Sequence, residues 1–376
     1  MNHILVKKHS MKKKLNILIT SAGSLGALTQ ITDLSNTLRA KINFFGTHSD
    51  KFKLERSKTL CKKSFLIPST SNAEKYIKKT LTLVKKNKID YVIPCSDKET
   101  FLISKYRKYF KGKLFLPDHK DVKLCQDKKL FYKFLEEFNL NRPYSIDLKN
   151  NKTINNFFRL KKTRKSFVRI TAPQSGMAYG AAIINNKKEL IKWLEMWKIF
   201  KNVTIDKFSI SEYLPGKIYD TLFLMRDNKL ILSKVIEKKK YYLGQNDFTG
   251  AGSTPEIAAT TSDKISKIIT SVNLKIMNII TQKNKTKANG IYHSTINYDY
   301  KNNPCITEIN IGRFPNINTF FNNFGKTKFS DEFFKIILSI NSNITKNIQF
   351  EKKRKYMVRS LDQLPFYFSS KKNFKV

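Results

Sequence analysis

Leu15, Ile17, Leu18 and Ile19 form a short apolar run between three lysines and the turn residues Ser21, Ala22 and Gly23. A run of that length, bounded on both sides, predicts a strand of a parallel sheet over residues 15–20. The glycine turn predicts a helix running from there to about Leu38. Residues 41–46 read as a second strand that ends in turn residues 46–50. Residues 71–86 show helical spacing of apolar positions, and residues 89–94 a third strand. Polar residues Cys95, Ser96, Asp97, Lys98 and Glu99 follow at its carboxyl end, where ligands of open α/β sheets bind. This alternation to about residue 117 predicts one open parallel α/β domain.

Beyond Pro117 the pattern changes. Residues 121–139 predict two short helices, with Asp127 and Lys128 at the head of the second, ended by Asn141, Arg142 and Pro143. Residues 165–170 predict a strand carrying Arg169. A small-residue loop over 172–180 follows, and a strand resumes at 181–184. A helix over 187–197 leads to a strand at 204–211, then to Glu212, Tyr213, Leu214, Pro215 and Gly216. Residues 219–225 and 229–236 predict a hairpin turning at Arg226, Asp227 and Asn228. After a Gly/Ser/Thr loop at 243–255, apolar residues at helical spacing (Ile265, Ile268, Ile269, Val272, Ile276) predict a long helix over 261–283 whose stripe is core. Two antiparallel strands, 290–298 and 304–311, and a helix at 331–339 complete the pattern, and 356–365 reads as one ordered piece of the tail. The divisions are a disordered basic leader at 1–13, an α/β domain at 14–117, units at 118–208 and 209–340, and an extension at 341–376.

The net charge of +43 raises the question of a nucleic-acid or membrane partner. The excess is mostly lysine, scattered along the whole chain among many asparagines, and no strand carries a stacking platform. This argues for compositional background and against nucleic acid, while favouring anionic small ligands such as ATP. Four cysteines stand far apart at 61, 95, 125 and 305, so neither a disulfide framework nor a zinc site is indicated. A reducing cytoplasm fits. The lysines before residue 15 mimic a signal peptide, but the apolar run is too short for one, and none approaches a membrane span.

Candidate chemistry concentrates near residue 310. Glu308 and Asn310 are two apart on a predicted strand, so they share a face. A carboxylate beside an amide oxygen suits Mg²⁺ or Mn²⁺. Arg313, just past the strand, has the fork to clamp a phosphoryl or carboxylate group. Arg169 before a glycine-bearing loop with Gly176 and Gly180 suits phosphate binding.

In this order the parts resemble the ATP-grasp superfamily, in its carbamoyl-phosphate-synthase-like and carboxylate–amine ligase branch. The resemblance runs from about Leu15 to Gly325. It implies a pre-ATP-grasp α/β domain followed by two subdomains, 118–208 and 209–340, that grip ATP between them. It implies nucleotide-binding roles for Lys128, Arg169, Gly176 and Gly180, and an adenine-binding linker at Glu212, Tyr213 and Leu214. Asp220 stands in for the ribose-binding carboxylate, since Ile218 occupies that position. Glu308 and Asn310 would hold the metal, with the other ligand position falling on Ser294, or on His293 or Thr295 after a one-residue shift. Arg169 replaces a lysine of the family.

The implied reaction is Mg²⁺-dependent transfer of the γ-phosphoryl of ATP to a small carboxylate, followed by attack of an amine, with Arg169 and Arg313 as catalytic cations. The Arg169, Ile218 and Ser294 departures keep a second reading open: nucleotide binding without turnover, in a regulator or scaffold. A polyanion-binding module ranks third. One grasp unit with no amidotransferase part does not support a complete carbamoyl phosphate synthase. A cytoplasmic protein without a membrane partner is implied, with a homodimer left open.

Overall fold

The computed structural model describes residues 14–171, 180–241, 255–342, 344–359 and 366–369. The basic leader, Gly176 with most of its loop, the loop at 243–254, and residues 360–365 and 370–376 lie outside these.

Four strands, β1 (Leu15–Ile19), β2 (Ile42–His48), β3 (Lys63–Leu66) and β4 (Tyr91–Ile93), form an all-parallel sheet in the order β3-β2-β1-β4. Helices α1 (Leu25–Thr32), α2 (Asn36–Arg39), α3 (Lys51–Lys58), α4 (Ala73–Lys86) and α5 (Asp97–Lys105) connect and cover it. The continuous helix expected to Leu38 is broken at Asp33, Leu34 and Ser35. Asp33 accepts a hydrogen bond from Asn322, and the Ser35 N–H donates to Asp331. Tertiary partners thus redirect the chain where local periodicity would have continued it. The glycine turn after β1 is closed by α3: a Cβ on Gly23 would lie 1.9 Å from the Lys53 carbonyl oxygen.

Helices α6 (His119–Gln126) and α7 (Lys128–Glu137) lead to a second sheet. It contains β5 (Ser145–Asp147), β6 (Ser166–Ile170), β7 (Ala182–Ile184) and β8 (Phe208–Glu212), in the antiparallel order β5-β8-β6-β7. Helices α8 (Asn151–Leu160) and α9 (Lys187–Lys201) pack on it. The strand expected over 204–211 begins at Phe208, because residues 205–207 form a 3₁₀ turn.

The third sheet is the largest. Strands β9 (Ile218–Arg226), β10 (Lys229–Tyr241), β11 (Pro255–Thr260), β12 (Gly290–Tyr298) and β13 (Pro304–Ile311) are joined by β14 (Ile348–Gln349), β15 (Lys355–Val358) and β16 (Phe366–Ser369). The order is β13-β12-β9-β10-β11-β15-β16, with β14 beside β10. Asp227 and Asn228 take positive φ of 48° and 65°, as a tight β9–β10 hairpin turn requires. Helix α10 (Asp263–Asn284) packs with α6 and α7 on one face of this sheet. Helices α11 (Asn318–Asn322) and α12 (Phe329–Ile337) pack on the other, together with the parallel sheet. No described helix is long and apolar enough to cross a membrane. All four cysteines are buried and unlinked.

Candidate functional site

The large sheet changes character row by row along one face. Opposed residues of antiparallel strands share a face, so Leu224 on β9 and Ile291 on β12 lie side by side in the core. In the next row of that face, Leu222, His293 and Asn310 stand abreast; in the row after, Asp220, Thr295 and Glu308 do. An apolar floor therefore runs directly into a polar one. Ser294 pairs with Ile309 on the opposite face and is fully buried. The residue facing Glu308 is Thr295, which corrects the spacing argument that pointed to Ser294.

Asp220 is the hub of the polar floor and is only 1% exposed. Its Oδ1 accepts from the Thr295 hydroxyl at 2.8 Å and lies 2.9 Å from Lys238 Nζ. Its Oδ2 is 3.2 Å from His293 Nε2, close enough for charge contact but off the axis of a hydrogen bond. Burial alone would push the Asp220 carboxyl up, but Lys238 and His293 outweigh it and hold it well below the carboxylate range. Both oxygens are thus occupied inside the sheet. This is not the placement of a ribose ligand, and it corrects that assignment.

Glu308 lies beside this hub, its Oε1 3.4 Å from the Thr295 hydroxyl and 3.5 Å from Asn310 Nδ2. Burial opposes its ionisation, yet Lys128, Lys238, Arg169 and His293 together hold its carboxyl below the ordinary value. Lys128 starts α7, where the Asp127 side chain caps the helix by accepting from the Lys129 and Leu130 N–H groups. Burial, then the Arg169 charge, push the Lys128 ammonium down to about 8, with Glu308 and Asp97 opposing them. Alternation along β6 turns Val168 and Ile170 into the core and Arg169 outward, with its guanidinium 5.2 Å from the Tyr132 ring centre. The fold thus gathers Lys128, Arg169, Glu308 and Asn310 from three elements.

Arg313 sits two residues past β13. Gly312 between them takes φ +77°, and a Cβ there would lie 2.7 Å from a Leu116 methyl. The guanidinium meets Asp97 through both Nε (2.5 Å) and Nη2 (2.9 Å), and Nη2 also donates to Asn310 Oδ1 at 3.3 Å. Asp97 is the first residue of α5, after the capping Ser96. It also lines a cleft of about 360 Å³ at the carboxyl edge of the parallel sheet, with Ser21, Ser49, Tyr76, Ser96 and Glu99. Glu99 is buried there and accepts from Thr20, Tyr76 and Ser96. The polar stretch after residue 94 therefore does line a cleft.

Glu212 ends β8 and is buried, accepting from the Lys162 N–H. The N–H groups of Glu212 and Tyr213 donate to the carbonyls of Tyr144 and Lys165, so they stay within the sheet. Leu214 is buried. Gly180 takes φ +67°, a Cβ there would meet Ile170 at 2.5 Å, and its carbonyl accepts from Trp193.

A hard divalent cation fits the donors on the polar floor. Glu308 offers a carboxylate, Asn310 an amide oxygen and Thr295 a hydroxyl, and Mg²⁺ characteristically takes one or two carboxylates plus substrate phosphates and water. No group of three His, Cys, Asp or Glu side chains able to hold a metal occurs among the described residues. Asn310 presents its amide nitrogen to Glu308, so chelation by both oxygens requires the amide to turn over. Sequence reasoning named Asp97, Asp220 and His293 singly, but missed the pairing of Asp97 with Arg313 and the hub that Asp220 makes with Lys238 and His293. Counting the strand register outward from Glu308 finds Thr295 and then Asp220.

No protein-family model and no curated protein sequence matches the chain. Solved structures do. L-amino acid ligase from Bacillus licheniformis matches with a TM-score of 0.67 at 11% identity, covering 92% of this chain and 80% of that one. N5-carboxyaminoimidazole synthetase from Staphylococcus aureus, complexed with ADP, matches with a TM-score of 0.68 at 14% identity, covering 93% and 83%. The biotin carboxylase domain of Hydrogenobacter thermophilus 2-oxoglutarate carboxylase, a dimer with MgADP and bicarbonate, matches with a TM-score of 0.66 at 11% identity, covering 92% and 75%.

Proposed function

The chain has the ATP-grasp fold, and from it we propose an ATP-dependent ligase that joins a small carboxylate to an amine. Residues 14–117 form its pre-ATP-grasp domain, and 118–208 and 209–340 its two gripping subdomains. The observation that carries the reading is the convergence of Lys128 and Arg169 on the face that presents Glu308 and Asn310. Lys128 and Arg169 bind and neutralise the phosphates. Glu308 and Asn310 would hold Mg²⁺ or Mn²⁺, which when bound would supply positive charge against the phosphates. The substrate carboxylate attacks the γ-phosphorus, its bond to the bridging oxygen breaks, and ADP leaves. The amine then attacks the acyl carbon, inorganic phosphate leaves, and the nitrogen sheds a proton. The protein contributes positioning and charge stabilisation, with little acid–base chemistry. Arg313, whose guanidinium reaches Asn310, is the second catalytic cation of this reading, beside Arg169.

The test is ADP release with a panel of amino and hydroxy acids and amine donors. Turnover should need a divalent cation and fall by roughly 100-fold or more in Glu308→Ala, the scale of losing one electrostatic stabiliser of a transition state. Thr295 favours a second reading, because a hydroxyl rather than a carboxylate faces Glu308. A protein that binds ATP without turnover would do so with or without Mg²⁺, would be indifferent to Glu308→Ala, and would release no ADP with any pair.

A further inference from the structure

The ion pair between Asp97 and Arg313 joins the parallel-sheet domain to the end of the strand that carries Glu308. Both partners are largely buried, with side-chain exposures of 24% and 18%. The contact is two-pronged, at 2.5 and 2.9 Å, the geometry in which arginine and carboxylate hold one another most firmly. Asp97 is itself fixed. It opens α5 behind the Ser96 cap, and its carbonyl accepts from Gln126 at 3.1 Å. Arg313 has a second anionic neighbour within the site, since Glu308 acts on it as well, and its Nη2 already reaches Asn310, two residues from Glu308.

We propose that Asp97 is a positioning residue: it pins the Arg313 guanidinium away from Glu308 and leaves that carboxylate available to a divalent cation. This rests on the metal-binding reading of Glu308 given above. Without the Asp97 charge, the guanidinium loses its paired counter-ion, and among the described residues Glu308 is the other carboxylate that acts on it. A cation would then compete with Arg313 for the same oxygens. Asp97 also lines the cleft at the edge of the parallel sheet, so the residue guarding the metal carboxylate comes from a helix of the parallel-sheet domain, while the ligands stand on the large sheet.

The probe is Mn²⁺, followed by electron paramagnetic resonance in the full chain with a non-hydrolysable ATP analogue, so no turnover is needed. Asp97→Asn keeps the shape and removes the charge. Half-saturation by Mn²⁺ should rise about tenfold, the low end for losing a partner behind a metal ligand. Asp97→Glu should stay near the parent. Adding Arg313→Gln to Asp97→Asn should bring Mn²⁺ affinity back toward the parent, a recovery that a merely structural role for Asp97 would not produce. Unchanged affinity in Asp97→Asn, or a loss that Arg313→Gln fails to reverse, overturns the proposal. If the single variant does not fold, the neutral double variant carries the test, and a tenfold loss there is the overturning result. A parent chain whose Mn²⁺ binding ignores Glu308→Ala ends both the metal reading and this one, whereas a parent that passes with Asp97→Asn neutral ends this one alone.

Discussion

Two buried charges on the polar floor make opposite demands at the scale of single residues. Burial has pushed the Lys128 ammonium down to about 8, from an ordinary value near 10.4. Between these values the folded, unliganded chain binds fewer protons there than the unfolded chain. This group's contribution to stability therefore rises as pH climbs from about 8 toward 10. The phosphate binding proposed for Lys128 would run the other way, because it needs the ammonium charged. Affinity for ATP should hold below pH 8 and fall above it, by up to about tenfold per pH unit, with the slope flattened in Lys128→Met; titration by calorimetry at several pH values checks both. Asp220 is the converse case. Asp220→Ala would strand Lys238, which is 6% exposed, without its counter-ion. Breaking a buried pair from one side costs about 3–5 kcal/mol. Denaturant unfolding should show a loss of that size, with part of it recovered when Lys238→Met is added.

At the scale of elements, the end of β13 depends on one backbone conformation. Gly312 at φ +77° lets the chain turn so that Asn310 remains on the sheet while Arg313 reaches Asp97. In Gly312→Ala the new methyl would meet Leu116 at 2.7 Å and Thr100 at 2.9 Å, on a backbone that L residues avoid at about 1–3 kcal/mol. A drop in melting temperature accompanied by weaker Mn²⁺ binding is the expected result, and intact metal binding would show that Arg313 needs no such turn. Strands β12 and β13 were legible in the sequence to the residue, because Asp299 and Asn303 mark their turn and their apolar positions are dense. Helix α3 and strand β3 were not. The segment KFKLERSK carries one apolar residue at a core position, Leu54, and its Asp50 cap reads equally well as part of a turn. Strand β5, at three residues, is too short to show any period. The polar hub was illegible for a different reason. Asp220 and His293 can be picked out singly, but only the register of three strands brings them together with Lys238 inside.

For the molecule as a whole, the distribution of apolar clusters separates what must fold together from what holds itself. The large sheet is covered on both sides. One face shares a cluster with the parallel sheet through Ile17, Ile19, Leu222, Leu224, Phe314 and Phe334, and the other packs on α10, α6 and α7. Strand β9 is accordingly buried at every position but its ends, and β12 along most of its length. The small sheet is different: the cluster beneath it draws its buried members only from residues 148–210. Local opening free energies follow such divisions, so amides of β6 and β8 should exchange with solvent at lower free energy than those of β9 and β12. Arg169 stands on β6 while Glu308 stands on β13, so a nucleotide held by both would tie the small sheet to the large one. Adding the ATP analogue with Mg²⁺ should therefore slow exchange in β6 and β8 more than in β9. Equal exchange in the two sheets before ligand would mean that the small sheet is not a separate cooperative unit. A ligand effect confined to the large sheet would mean that Arg169 takes no part in holding the nucleotide.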